Sequence, residues 1–249
     1  MQYGICHLSI APIRFLASHQ SEMISQILYG EHFKILEERG KWSKIRLAFD
    51  GYEAFINNKQ YLKIGEDEYN RLQNESLKLS SDLLSYVVND QGYLMSVPLG
   101  SSLNFIQNFR HVFEGEVSSG IKQKKNLVHS ALLYLNCPYC WGGKSPLGID
   151  ASGLTQMVYK LNGQRIKRTS AEQATQGIAL SFIEESEPGD LAFFDNHEGV
   201  IDHVGIMMQD NYIIHVDGMV RIDRIDHSGI FNVDLKRHTH QLRVIKKII

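Results

Sequence analysis

The chain has 249 residues, of which 43% are apolar, 22% charged and 10% aromatic. That profile excludes a disordered chain, and at about 150 residues per domain it gives one to two domains, more if the modules are small and all-β. Lysine and arginine total 26 against 28 aspartates and glutamates, a formal charge of −2, which provides no electrostatic footprint for nucleic acid or an anionic membrane and suits a small uncharged or zwitterionic ligand.

Residues 1–64 read as all-β. Ile45, Leu47 and Phe49 alternate on one face of the run 42–49, Asp50-Gly51 marks a turn, and Tyr52 opens a second strand to Ile56. Short strands with tight turns predict a small barrel. The polar stretch 65–82 reads as a connector with one helical turn. Residues 83–120 repeat the β style, with strands at 83–88, 93–97 and 111–117, and are expected to form a second, shorter barrel. At Ile121 the texture changes. Leu127, Ala131 and Leu135 recur at helical spacing within 122–135, and Leu154, Met157, Val158 and Leu161 form a second stripe closed by Gly163. Strands are predicted at 191–194, 203–208, 212–216, 219–225 and 243–249. Helices followed by an antiparallel sheet make 121–249 an α+β domain behind two all-β modules, 1–64 and 65–120.

Three cysteines, Cys6, Cys137 and Cys140, are too few for a disulfide framework. No run of about 18 apolar residues predicts a membrane span. The opening Met1-Gln2-Tyr3-Gly4-Ile5-Cys6 has neither a basic stretch nor a long apolar core. A reduced, cytoplasmic and monomeric protein is expected, periplasmic if a leader has been removed.

The chemistry concentrates at 138–154: Pro138-Tyr139-Cys140-Trp141-Gly142-Gly143-Lys144-Ser145-Pro146-Leu147-Gly148-Ile149-Asp150-Ala151-Ser152-Gly153-Leu154. A glycine-rich loop runs here into a helix start, whose free N–H groups and positive dipole end stabilise a nucleophile's anion and an oxyanion. The segment resembles the signature of the NlpC-type bacterial cell-wall cysteine peptidases, Pro-Tyr-x-Trp-Gly-Gly followed by Ser-Pro-x-Gly-x-Asp-Cys-Ser-Gly. It departs at one place: the family's nucleophilic cysteine falls on Ala151. Asp202-His203-Val204-Gly205 and Ile214-His215 fit the family's later strand and second polar residue. A turn near Gln209-Asp210 would set His203 directly opposite His215 on adjacent antiparallel strands, about 5 Å apart at Cβ.

The resemblance implies a papain-like catalytic domain, no metal and no cofactor. A cysteine at position 151 would attack an amide carbonyl, His203 would carry its proton, His215 would orient His203, and the N–H of residue 151 with Tyr139 would hold the oxyanion. Trp141 belongs to the same loop. Taken over the whole chain, the resemblance is to a branch with two SH3-like domains ahead of the peptidase domain. That branch implies muropeptide substrates, cut after L-Ala-γ-D-Glu and before L-Lys or meso-diaminopimelate, with a free N-terminal L-Ala, in muropeptide recycling. Asp150, Ser152 and Ser170 would contact the D-Glu portion. The first SH3-like domain would close the substrate site, with Glu22 and Tyr52 reading the ammonium group.

A methyl group at position 151 cannot attack, so the chain as written is expected to be inactive. Retention of the base, its orienter and the loop favours a deliberately replaced nucleophile. The alternative is a natural pseudoenzyme that binds muropeptides without cutting. Cys137-Pro138-Tyr139-Cys140 raises a remote dithiol redox reading, and the pair His238 and His240 a weak metal reading.

Overall fold

The structure is a computed structural model and describes residues 2–249; Met1, part of the opening run, lies outside them. The chain divides into two compact units, Met1–Gly120 with Trp141–Pro146, and Ile121–Cys140 with Leu147–Ile249.

In the first unit, strands β1 (Gln2–Ile5), β2 (Ile10–Arg14), β3 (Met23–Leu28), β4 (His32–Arg39), β5 (Trp42–Leu47), β6 (Glu53–Asn57) and β7 (Leu62–Ile64) form an antiparallel sheet in the order β3-β2-β6-β5-β4-β1-β7. Alternation sets its faces: Ser43, Ile45 and Leu47 are buried while Arg46 between them is exposed. Ile45 and Leu47 join Ile13, Ile27, Phe33, Ile35 and Ile56 in one core. On the outer side Lys44 and Arg46 both pair with Glu53 across the β5–β6 ladder, at 2.8 and 2.6 Å.

The connector holds more helix than its composition suggested: α1 runs over Glu66–Asn74, with Glu68 accepting the N–H of Gly65 at 2.9 Å. Only Tyr69 and Leu72 of it are buried, too few to mark an amphipathic stripe. Beyond it, β8 (Lys78–Ser80), β9 (Leu84–Val88), β10 (Leu94–Pro98), β11 (Val112–Phe113) and β12 (Val117–Ser119) form a three-stranded sheet, β10-β9-β11, and a pair, β12-β8. The single strand expected at 111–117 is therefore split between two sheets. Asp82 accepts the N–H of Glu116 at 2.8 Å at the break.

The signature segment Trp141–Pro146 packs with this first unit. Lys144 donates its backbone N–H to Gln26 Oε1 at 2.9 Å, and its buried ammonium lies 3.4 Å from the buried carboxylate of Glu31, which also accepts the N–H of Leu28 at 2.8 Å. Gly142 has φ +74° and runs so close to Met23 O that a Cβ would lie 2.7 Å away, so only glycine fits there.

In the second unit, α2 (Asn126–Leu132) is shorter at both ends than the expected 122–135: its cap is Lys125 and the chain turns at Asn136, φ 67°. Two short strands follow, β13 (Lys144–Ser145, within the first unit) and β14 (Gly148–Ile149), and then α3 (Ala151–Leu161) and α4 (Ser170–Gln173). Strands β15 (Ile178–Leu180), β16 (Leu191–Asp195), β17 (Ile201–Met207), β18 (Tyr212–Asp217), β19 (Met219–Asp226), β20 (Gly229–Asn232) and β21 (Arg237–Lys247) make one sheet in the order β15-β21-β16-β17-β18-β19-β20, with β21 also pairing β20. All eleven residues of α3 are buried, between α2 and the strands β17 and β18. Helices on an antiparallel sheet, following an SH3-like module in the chain, give the papain-like α+β architecture. No helix among the described residues is long and apolar enough to cross a membrane.

Removing one partner of a buried ion pair strands the other charge. Glu31→Ala is expected to destabilise the protein by about 3 kcal/mol, read from urea unfolding. A loss below about 0.5 kcal/mol would place Glu31 among solvent-screened surface charges.

Candidate active site

Helix α3 begins three residues before its apolar stripe because Asp150 caps it. Asp150 Oδ1 accepts the N–H of Gly153 at 2.6 Å and the Ser152 hydroxyl at 3.2 Å. The backbone N–H groups of Ala151 and Ser152 open the first turn and have no intrahelical acceptor. Ala151 is buried at this helix end.

The same carboxylate is clamped by Arg168, with Nη1 donating to Oδ1 at 3.0 Å and Nη2 to Oδ2 at 2.7 Å. Arg168 also donates to Ser152 Oγ at 2.8 Å, and both residues are buried. Arg168 was missed as a site residue; its position in Arg168-Thr169-Ser170 shows no periodic pattern. Asp150 is accordingly engaged by the cap and the guanidinium, and it holds Arg168 against Ser152. Ser170 is buried in the first turn of α4, behind a Thr169–Glu172 capping box, with its hydroxyl 3.4 Å from Asp202 O.

The sheet brings His203 and His215 together, although not by the expected register. The pairs Ile206↔Ile214 and Met207↔Ile213 set Gly205, not His203, opposite His215. A Cβ on Gly205 would stand 3.0 Å from His215 Cβ and 2.7 Å from Ile213 Cδ1. The missing side chain at 205 opens the diagonal, and His203 Nε2 reaches His215 Nδ1 at 3.0 Å. A second diagonal continues the line. Asp223 lies opposite Ile213 on β19, and His215 Nε2–H donates to Asp223 Oδ2 at 3.0 Å. Arg221 holds that carboxylate at 2.6 and 2.9 Å. Asp223 escaped the sequence reading because it is one acid in an ordinary charged strand; only the sheet register marks it.

Tautomers follow from this chain of bonds. Ionised Asp223 only accepts, so His215 Nε2 carries the proton. His215 Nδ1 then accepts from His203 Nε2–H, leaving a lone pair on His203 Nδ1 as the base. Burial, with His240 and His215 adding to it, holds His203 well below the ordinary imidazole range. Burial pushes the Asp223 carboxyl up, but the hydrogen bonds from His215 and Arg221 outweigh it and keep it below the usual carboxylate value. His240 stacks on His203, ring centroids 4.1 Å apart, and burial lowers it too.

Tyr139 is half exposed, its N–H donating to Gly218 O at 3.0 Å, and burial raises its phenol. Glu22, Tyr52 and Trp141 belong to the first unit. Glu22 is exposed and its carbonyl accepts the N–H of Phe15; Tyr52 packs on the sheet core with its N–H on Asp50 Oδ1; Trp141 is exposed. Cys137 and Cys140 form no disulfide; no helix follows them directly, and burial pushes the Cys137 thiol up, opposite to what a reactive thiolate needs. His238 is bonded to Asp226 at 3.0 Å, apart from His240 on His203.

Because His203 and His240 are lowered below 6.5, the unfolded chain binds more protons than the folded one between their folded values and 6.5. Stability therefore rises with pH through that interval and falls on acidification below about 6.5. Asp223, lowered below 3.8, contributes stability that is lost only as pH falls through its folded value. Urea midpoints are expected to drop between pH 7.5 and 5, with a further loss under pH 4. A flat profile from 7.5 to 5 would contradict buried neutral imidazoles.

The NlpC/P60 family model matches residues 136–241, and the model of the bacterial dipeptidyl-peptidase SH3 domain matches 16–60. Dipeptidyl-peptidase 6 of Lysinibacillus sphaericus is 30% identical over 216 residues, covering 71% of this chain and 76% of its own. The γ-D-glutamyl-L-lysine dipeptidyl-peptidase of Bacillus cereus is 24% identical over 228 residues, 80% of this chain and 68% of its own. The crystal structure of an NlpC/P60 family protein from Bacillus cereus superposes with a TM-score of 0.83 at 18% identity, covering 99% of each chain, and shares the fold. With the Lysinibacillus sphaericus relative 30% identical and matched over 76% of its own length, and with residues 136–241, which carry the histidine relay, matched by the family model, the chain belongs to the NlpC/P60 family.

Proposed function

We propose that this chain recognises peptidoglycan stem peptides of the form L-Ala-γ-D-Glu-diamino acid, with L-Lys or meso-diaminopimelate in third place and a free amino terminus. The site is that of a dipeptidyl-peptidase silenced at Ala151. The observation that carries this is the intact relay Asp223–His215–His203, with 3.0 Å at each step, in a chain whose nucleophile position holds a methyl group.

With cysteine at position 151, the thiol loses its proton to His203 Nδ1 and the thiolate attacks the γ-glutamyl carbonyl. The N–H of residue 151 and Tyr139 take the oxyanion, and His203 returns the proton to the leaving diamino acid. Water then hydrolyses the thioester by the same base. Arg168, Ser152 and Ser170 supply the donors for the free α-carboxylate of D-Glu. With alanine, binding remains and chemistry stops. A site for a free-amine peptide suits soluble muropeptides, and so recycling, better than cross-linked wall. A substituted nucleophile and a natural binding protein share this chemistry; the natural gene's codon at 151 separates them.

The test incubates the chain and its Ala151→Cys variant with L-Ala-γ-D-Glu-diaminopimelate, free and N-acetylated, and follows products by mass. Cleavage is expected only for the cysteine form and only for the free amine, with a rate at least 10³-fold over the alanine form, the order that loss of a nucleophile costs. No binding to the alanine form and no cleavage by the cysteine form would sink the proposal. Sacculi cut as fast as the free tripeptide would exclude the recycling role.

A further inference from the structure

The positive charges of residues 2–64 fall into two groups. Arg39 pairs with Glu37, Lys44 and Arg46 with Glu53, and Lys63 with Glu38, while Lys34 lies over the Tyr69 ring. The other three, Arg14, Lys41 and Lys59, have no carboxylate partner among the described residues, and all three line one cavity of about 610 Å³ that no acidic residue borders. We propose that this cavity of the SH3-like module binds a phosphorylated sugar or polyol, the cations holding the phosphate and neighbouring amides the hydroxyls, independent of the peptide reading above.

The walls are set by the fold. Trp42 opens β5 opposite Asn57 on β6 and is buried, with His19 edge-on to it at 4.9 Å between ring centroids. Asn58 ties the β4–β5 turn to the segment after β6. Its Nδ2 donates to Gly40 O at 3.1 Å, its backbone N–H to Lys41 O at 2.9 Å, and its Oδ1 accepts the Ser43 hydroxyl at 2.8 Å. Arg14 is half-buried and anchored by one donor, Nη1 to Ser21 O at 2.6 Å, which leaves the rest of its fork for a ligand. Asn57 Oδ1 accepts the N–H of Lys59 at 3.0 Å, so its NH₂ group is the donor it can offer. Gln60 adds a second amide to the lining.

Charge and size select the ligand. Like charges gathered without a counter-charge raise the potential of a cavity and draw an anion into it. Three full positive charges match a phosphate ester, which carries close to two negative charges at pH 7, better than a single carboxylate. The guanidinium can take such a group bidentately and the ammonium groups as point charges. The volume lies in the range of small-molecule sites and exceeds what a phosphate ion alone fills; amides and the Trp42 ring border the remainder, a lining suited to a hydroxylated frame. Neither Glu22 nor Tyr52 lines this cavity, and Tyr52 follows the opposite end of β5 from Trp42.

The experiment titrates the full-length chain with glucose 6-phosphate and glycerol 3-phosphate, and with glucose, glucuronate and inorganic phosphate as controls, by calorimetry. NMR of the indole N–H groups of Trp42 and Trp141 locates the binding. At least one of the two phosphate esters is expected to bind once per chain, at least 10-fold tighter than every control, and more weakly as salt rises. The Trp42 signal should move and that of Trp141 stay. The exposed pair Lys41→Gln and Lys59→Gln, made together, is expected to weaken binding about 10-fold; Lys63→Gln, whose ammonium Glu38 already engages, should leave it unchanged. Because the indole shifts are read on the unsubstituted chain, they stand whatever the variants do to folding. A control bound as tightly as the esters (inorganic phosphate so bound would mark an adventitious ion only), an equal loss in Lys63→Gln, a shift at Trp141 in place of Trp42, or no saturation by either ester at about 10 mM would overturn the site.

Discussion

The hydrogen bond from His215 Nε2 to the buried carboxylate of Asp223, 3.0 Å long, orders everything upstream of it. An ionised carboxylate can only accept, and that single restriction fixes the proton on one side of His215, the acceptor role on the other, and the free lone pair on His203. Arg221 keeps Asp223 charged by supplying two donors that offset the cost of burying it. The line runs diagonally over β17, β18 and β19, through the space that Gly205 leaves open. A larger residue at 205 would push His215 off the diagonal.

Asp150 does for the helix what Asp223 does for the histidines. One carboxylate caps α3 and receives a bidentate guanidinium, so the direction of the helix start and the place of a cationic donor are set together. Position 151 opens the helix that Asp150 caps, and the strands that carry His203 and His215 pack against that helix. Both carboxylate arrangements are complete without a thiol, because neither includes the side chain at 151. Neither arrangement therefore depends on which side chain stands at 151.

Much of this was legible in the sequence, and the limits were physical. The glycine-rich run 138–154 identifies the loop and the helix start, and its resemblance to the family signature, together with Asp202-His203-Val204-Gly205, points to the strand of the base. The register of β17 and β18 was misjudged by two residues because the turn contains a 3-10 segment over Gln209–Asn211, with Asp210 at φ 57°, in place of a tight hairpin. The error preserved parity, so both histidines still shared a face. Asp223 and Arg168 were invisible because a charged residue in a strand or loop carries no mark of burial until its partners are placed. α1 was underestimated for the complementary reason: a mostly exposed helix has little hydrophobic period to read.

The central claim is that the relay is poised by Asp223 and lacks only its nucleophile. Long-range ¹⁵N–¹H correlation spectra of histidine-labelled protein at pH 7 test it directly by reading the tautomer of each ring. The account predicts His215 protonated at Nε2, and His203 neutral, with its proton on Nε2 and a bare Nδ1. A His203 found as imidazolium, or with its proton on Nδ1, would contradict it.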